Sequence, residues 1–223
     1  MKRLAGLITS TLASLICFAA SSAFAQDVKA NAQAGEKKAA MCIGCHSIPG
    51  YQASFPEVHK VPMIAGQNAK YLQAALTEYK AGDRKHPTMR AVATSLSDQD
   101  MADLAAYYES LPKEKVTLDA KPAHEPSAEV AALLAKGGCV ACHGTNFSKP
   151  SDPAFPKLAG QHPDYLFVAL KAYQTQNNPQ VGRSNPVMSG MAGGFTHAQL
   201  KDLAQYIGSL PGELQVVPQS RFK

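Results

Sequence analysis

Two short stretches carry the reactive residues of this chain. MCIGCHSIPG holds Cys42, Cys45 and His46, and GCVACHG holds Cys139, Cys142 and His143. Two thiols three residues apart, with an imidazole directly after the second, admit three chemistries. A zinc site needs four ligands closing a tetrahedron, and neither motif has a further cysteine nearby. A disulfide oxidoreductase needs one poised pair in an α/β fold, and no run of alternating strand residues accompanies these pairs. Covalent haem accounts for every element. On a helical turn, residues i and i+3 put both thiols on one face, where they can add to the two vinyl groups of a porphyrin, and the next residue ligates the iron from below. Two copies predict two covalently attached haem c groups.

Met89 and Met188 are the expected ligands on the other side of each iron. They lie in loops 43 and 45 residues after His46 and His143, at matched places in two similar halves. A neutral thioether favours the ferrous state and suits electron transfer. Met191 is a rival to Met188, but Val92 stands at its matched place. His59 and His86 have no histidine counterparts in the second half and read as solvated loop residues, while Met41, Met63 and Met101 read as packing residues. A ligating histidine donates its free ring N–H to a fixed acceptor. Pro62 and Pro156, opening matched P-x-x-A-G segments, are the candidate acceptors. Tyr79 and Tyr173, with Arg84 and Arg183, are candidates to hold haem propionates; solvated loop charge is the competing account of the arginines.

The elements that must position these residues come as a repeat. PMIAGQNAKYLQAALTEY (62–79) matches PKLAGQHPDYLFVALKAY (156–173), RKHPTM matches RSNPVM, and LSDQDMADLAAYYESLP matches FTHAQLKDLAQYIGSLP. Each copy reads as helical. One helix runs into each Cys motif, with Ser127 as an N-cap in the second copy. A middle helix starts at Asn68 and ends at Gly82, and its partner carries Pro163 in its first turn. The last helices start at Ser97 and Thr196, the latter with Gln199 completing a capping box, and Pro112 and Pro211 stop them. Residues 113–126 are polar and Pro-containing and read as a linker. The halves contain no Trp and only 7% aromatics, and Ala is frequent on their helical stripes. Domains of about 90 residues built this way need something large and apolar at the centre.

Residues 1–25 read as a secretory signal peptide: Lys2 and Arg3, an apolar run, then Ala23 and Ala25 at an A-x-A cleavage site. Cys17 falls inside it and, after the bulky Ile16, is not a lipid-anchor site. The remaining chain has 20 Lys and Arg against 17 Asp and Glu, a balance of +3 with the signs interspersed. No basic block argues for nucleic acid, and no other segment is long and apolar enough for a bilayer. The expectation is a periplasmic protein, soluble or peripherally membrane-associated.

These motifs resemble the di-haem cytochrome c4 family over nearly the whole chain after residue 25. The resemblance rests on the two Cys-x-x-Cys-His motifs, the AGQ…YL…L..Y runs, the R..P.M loops and LSDQDMADLAAYYESL. It implies an all-α chain of two tandem class I cytochrome c domains (26–112 and 127–223, the latter with a C-terminal tail) in a pseudo-twofold relation, each built around a covalent haem. It implies thioethers on Cys42, Cys45, Cys139 and Cys142, and axial pairs His46 with Met89 and His143 with Met188. It also implies an electron carrier, not an enzyme, with no small-molecule substrate. The partners would be a redox protein donor and acceptor among membrane respiratory complexes, the acceptor typically a terminal oxidase. The alternatives are a cytochrome subunit of a larger dehydrogenase or oxidase, and a di-haem peroxidase, which needs an easily opened iron. The loop SIPGYQASFPEVHKVP after His46 and the insertion QTQNNPQVG before the second Met depart from the family pattern. Gly35, on a helix expected to pack closely on the last one, has Ala132 as its counterpart.

Overall fold

The computed structural model describes residues 28–114 and 116–219; the signal peptide read at 1–25, Cys17 with it, and the last four residues lie outside these. The first half contains α1 (Ala32–Lys38), α2 (Ala40–His46), α3 (Ala69–Ala81), α4 (Pro87–Thr94) and α5 (Asp98–Glu109). The second contains α6 (Ala128–Lys136), α7 (Cys139–His143), α8 (Pro163–Gln174), α9 (Pro186–Gly193) and α10 (His197–Ser209). The all-α reading holds: the strands among the described residues are two-residue pieces, β1 (Gln52–Ala53), β2 (His59–Lys60), β3 (Arg84–Lys85) and β4 (Gly182–Arg183).

Most caps follow the sequence. Ser97 with Asp100 and Thr196 with Gln199 both form capping boxes, Ser127 accepts from Val130, and Gly82 closes α3 in the left-handed conformation at φ 91°. Three expectations are corrected. The helix leading into each Cys motif is broken, at Ala39 in one copy and at Gly137–Gly138 in the other, where Gly138 has φ 58°. The Met loops are helices: Pro87 and Pro186 pre-set the first turn, and the side chains of His86 and Asn185 accept the Met89 and Met188 N–H groups. Asn68 precedes α3 without its side chain capping it. Glu109 Oε1 takes the Ala69 N–H instead at 2.7 Å, which leaves the Asn68 amide to donate to Phe155 O in the other half.

In the first half α1 crosses α5 so closely that a Cβ on Gly35 would lie 2.0 Å from Asp103 O. Buried Asp103 ties the crossing with bonds from the Asn31 N–H (2.8 Å), Lys38 (2.7 Å) and Gln99 (2.7 Å). In the second half α6 instead presses Leu134 into the cluster of Leu200, Leu203, Ala204 and Ile207, and Ala132 is exposed.

The halves are joined along their seam. β3 pairs antiparallel with β4, setting Arg84 opposite Arg183, and the Ser184 N–H donates to Asp83 O at 2.7 Å. The segment read as a linker lies on the second half: Thr145 donates to Ala120 O, Asn146 to Asp119 O and Tyr206 to His124 O. The tail after α10 returns to the first half. The Gln215 N–H donates to Ala65 O at 3.1 Å, Val217 packs on the first core cluster, and the Gln219 amide donates to the Tyr107 hydroxyl.

Candidate metal centres

The short helices α2 and α7 hold the two motifs, and burying Ile43 in the first core fixes the roll of α2. Cys42, Cys45, Cys139 and Cys142 are free thiols, each partly buried. Burial pushes the Cys42 and Cys139 thiols up from their ordinary value, so both are protonated at neutral pH. His46 Nδ1 lies 2.8 Å from Pro62 O, and His143 Nδ1 lies 3.1 Å from Pro156 O. A carbonyl oxygen only accepts, so the ring proton sits on Nδ1 and each Nε2 keeps an open lone pair. Burial, the largest influence, holds both imidazoles below the ordinary histidine value despite the carbonyl bond, which keeps them neutral. A neutral imidazole with its second nitrogen pinned to a carbonyl is a prepared metal ligand.

Met89 and Met188 occupy the third residue of α4 and α9, their backbones capped and their side chains partly buried. Met191, one turn beyond Met188, is 47% exposed. Met63 and Met101 are packed as read, but Met41 is 57% exposed because it stands on the solvent side of α2. The two histidines read as solvated are not. His59 is 4% exposed, its Nδ1 donating to Glu57 O at 2.8 Å and its ring set against Tyr165. His86 is partly buried as the cap of α4.

Arg84 and Arg183 meet at the seam. Arg84 donates to the Tyr71 hydroxyl at 3.1 Å and to Tyr165 at 2.9 Å; Arg183 donates to Tyr165 at 3.1 Å and to Tyr173 at 3.5 Å. Tyr79 offers its ring face rather than its hydroxyl, 4.8 Å from the Arg84 guanidinium carbon. Burial alone raises the Tyr165 phenol, but Arg183 and Arg84 outweigh it and hold the group at about 8. Tyr71, where burial prevails over Arg84, is pushed up to about 12. The solvated account fails for Arg84, which is 5% exposed and whose Nε is buried without a partner among the described residues. Among the described residues neither arginine is in an ion pair. Two cations without carboxylates are a costly arrangement, and it fits a group that brings two carboxylates of its own, as a haem does. Tyr71 and Tyr165 stand outside the residues expected at this site, which were Tyr79 and Tyr173. Their signal was present: each stands eight residues before Tyr79 or Tyr173, on the same helix face.

A cytochrome c family model matches residues 32–112 and again 127–211. Cytochrome c4 of Azotobacter vinelandii is 31% identical over 197 residues, covering 81% of this chain and 89% of that one. A thiosulfate dehydrogenase electron acceptor of Stutzerimonas stutzeri is 30% identical, covering 80% of this chain and 83% of its own length. The crystal structure of reduced recombinant cytochrome c4 from Pseudomonas stutzeri superposes with a TM-score of 0.61 at 28% identity, covering 82% of this chain and 100% of that one.

Proposed function

The chain belongs to the cytochrome c family, as a two-domain protein of the cytochrome c4 kind, and on that footing we propose that it shuttles single electrons between redox proteins in the periplasm, delivering them to a terminal oxidase. It is an electron carrier and not an enzyme, and it holds two covalent haem c groups. Haem c supplies a one-electron iron couple; the residues of the chain decide how it is held. In this proposal Cys42, Cys45, Cys139 and Cys142 carry thioether links within 26–112 and 127–223, after a signal peptide ending at residue 25 is removed. His46 and His143 ligate through Nε2, and Met89 and Met188 through sulfur. Arg84, Arg183 and the tyrosines around them bind the propionates and spread their charge along the seam.

The observation that carries the reading is the pair of Nδ1–carbonyl bonds, His46 to Pro62 and His143 to Pro156, made once in each half on a helix bearing two free thiols. The test is an alkaline pyridine spectrum of the protein matured in an exporting host, followed by oxidation of the reduced protein by membranes containing a terminal oxidase. Two haems per chain and rapid oxidation are expected. One haem or none overturns the assignment of the two sites, and two haems with no oxidation remove the oxidase. A second reading, an electron-accepting subunit of a dehydrogenase, is supported by the relative described as a thiosulfate dehydrogenase electron acceptor. Co-purification with a dehydrogenase under mild conditions favours it.

A further inference from the structure

Gln67 and Gln161 stand at matched places in the repeat and are 3% and 4% exposed. Each makes its bonds across the seam. Gln161 Oε1 accepts from the Met63 N–H at 3.0 Å while its Nε2 donates to Met63 O at 2.9 Å. Gln67 does the same to the other half: Oε1 accepts from the Lys157 N–H at 2.9 Å and Nε2 donates to Lys157 O at 2.9 Å. Each Oε1 also accepts the N–H of the next residue, Asn68 at 3.0 Å and His162 at 3.1 Å, which fixes the amide in one orientation.

The residues so gripped are not arbitrary. Met63 follows Pro62, whose carbonyl holds His46, and Lys157 follows Pro156, whose carbonyl holds His143. The peptide group joining Pro62 to Met63 contains both the carbonyl that receives the His46 proton and the N–H that Gln161 receives. The same is true of Pro156, Lys157 and Gln67. A peptide unit is planar and rigid, so holding its N–H holds its carbonyl. We propose that Gln161 and Gln67 are positioning residues acting in trans, each setting the proximal histidine of the opposite half.

This rests on His46 and His143 being the axial ligands. A firm Nδ1–H···O=C bond orients the ring and makes the other nitrogen a stronger donor, which favours the ferric iron. Loosening the clamp therefore raises the potential of the haem across the seam. The experiment uses the holoprotein with Gln161→Leu and Gln67→Leu. Gln161→Met is the gentler variant, because it keeps the length and volume of the side chain and adds no charge to this buried site, while its thioether accepts only weakly from the Met63 N–H and donates nothing to Met63 O. Three readouts are taken: both midpoint potentials, the ring-proton resonances of His46 and His143, and amide exchange at Met63 and Lys157. Gln161→Leu is expected to raise the potential of the His46 haem, move the His46 resonances and speed Met63 exchange by about tenfold, with His143 unmoved. Gln67→Leu is expected to do the converse, and Gln161→Met to give a smaller shift at His46. A shift confined to the variant's own half, an equal shift of both haems, or faster Met63 exchange with both potentials unchanged overturns the proposal. If Gln161→Leu does not fold, the Gln161→Met result decides alone. In all these cases two His-ligated haems in the unmodified protein leave the electron-transfer reading intact; absence of histidine ligation there overturns that reading itself.

Discussion

Single side chains divide into those whose partners are near in the chain and those whose partners are not. The Cys and His residues were legible because their chemistry is written in a spacing of three and one. The tyrosine that takes bonds from both seam arginines was not, because Arg84 stands 81 residues from Tyr165 and no local period announces such a meeting. Replacing it is informative. In Tyr165→Phe two guanidinium donors lose their shared acceptor, with an expected loss of about 1–3 kcal/mol, read as a lower urea midpoint. The methionine assignment is tested at the same scale. Met188→Ala is expected to abolish the Met–iron absorption of one haem and to lower its potential, while the exposed neighbour, in Met191→Ala, leaves the spectrum unchanged. The reverse outcome transfers the role to Met191.

The helices were legible where an apolar stripe coincided with a cap, as at Ser97 and Thr196. They were misread where a short turn begins on a proline: Pro87 and Pro186 open the helices bearing Met89 and Met188, residues that looked like loop. The crossing of the first and last helices of the amino-terminal half is the element most sensitive to change. Gly35→Ala drives a methyl into Asp103 O, an overpacking expected to cost about 1–3 kcal/mol, whereas Gly190→Ala meets no atom within 4 Å and is expected to be neutral or better. The same crossing sets an acid limit. The Lys38 ammonium beside Asp100, aided by Ser97, holds that carboxyl well below the usual carboxylate range. A depressed carboxyl contributes stability that is complete above its unfolded value of about 4 and is lost as pH falls toward the folded one. Denaturant midpoints measured downward from pH 5 are expected to fall less steeply in Lys38→Met than in the unmodified protein. The second half, with Ala135 and Gln199 at these places, has no counterpart of this pair.

Across the molecule the two halves are held by bonds of different salt sensitivity. Lys171 with Glu57 (2.8 Å), Lys70 with Asp152 (3.1 Å) and Lys60 with Asp164 (3.4 Å) bridge the seam at exposed or partly exposed positions, where each contributes little and is screened by salt. The buried glutamine–backbone bonds and the β3–β4 pairing are not screened. Calorimetry in 1 M salt is therefore expected to show one cooperative transition displaced only slightly downward; two separated transitions contradict a seam held mainly by uncharged contacts. The repeat predicts twin halves, yet it cannot reveal that each borrows from beyond its own span, because the borrowed segments (residues 117–124 and 212–219) carry no repeated pattern. That exchange has a bearing on manufacture of the molecule in the cell. Because Gln215 and Val217 finish a surface begun at Ala65, the portion translated first waits for the portion translated last, and a ribosome halted near residue 211 releases a chain whose first copy is not whole.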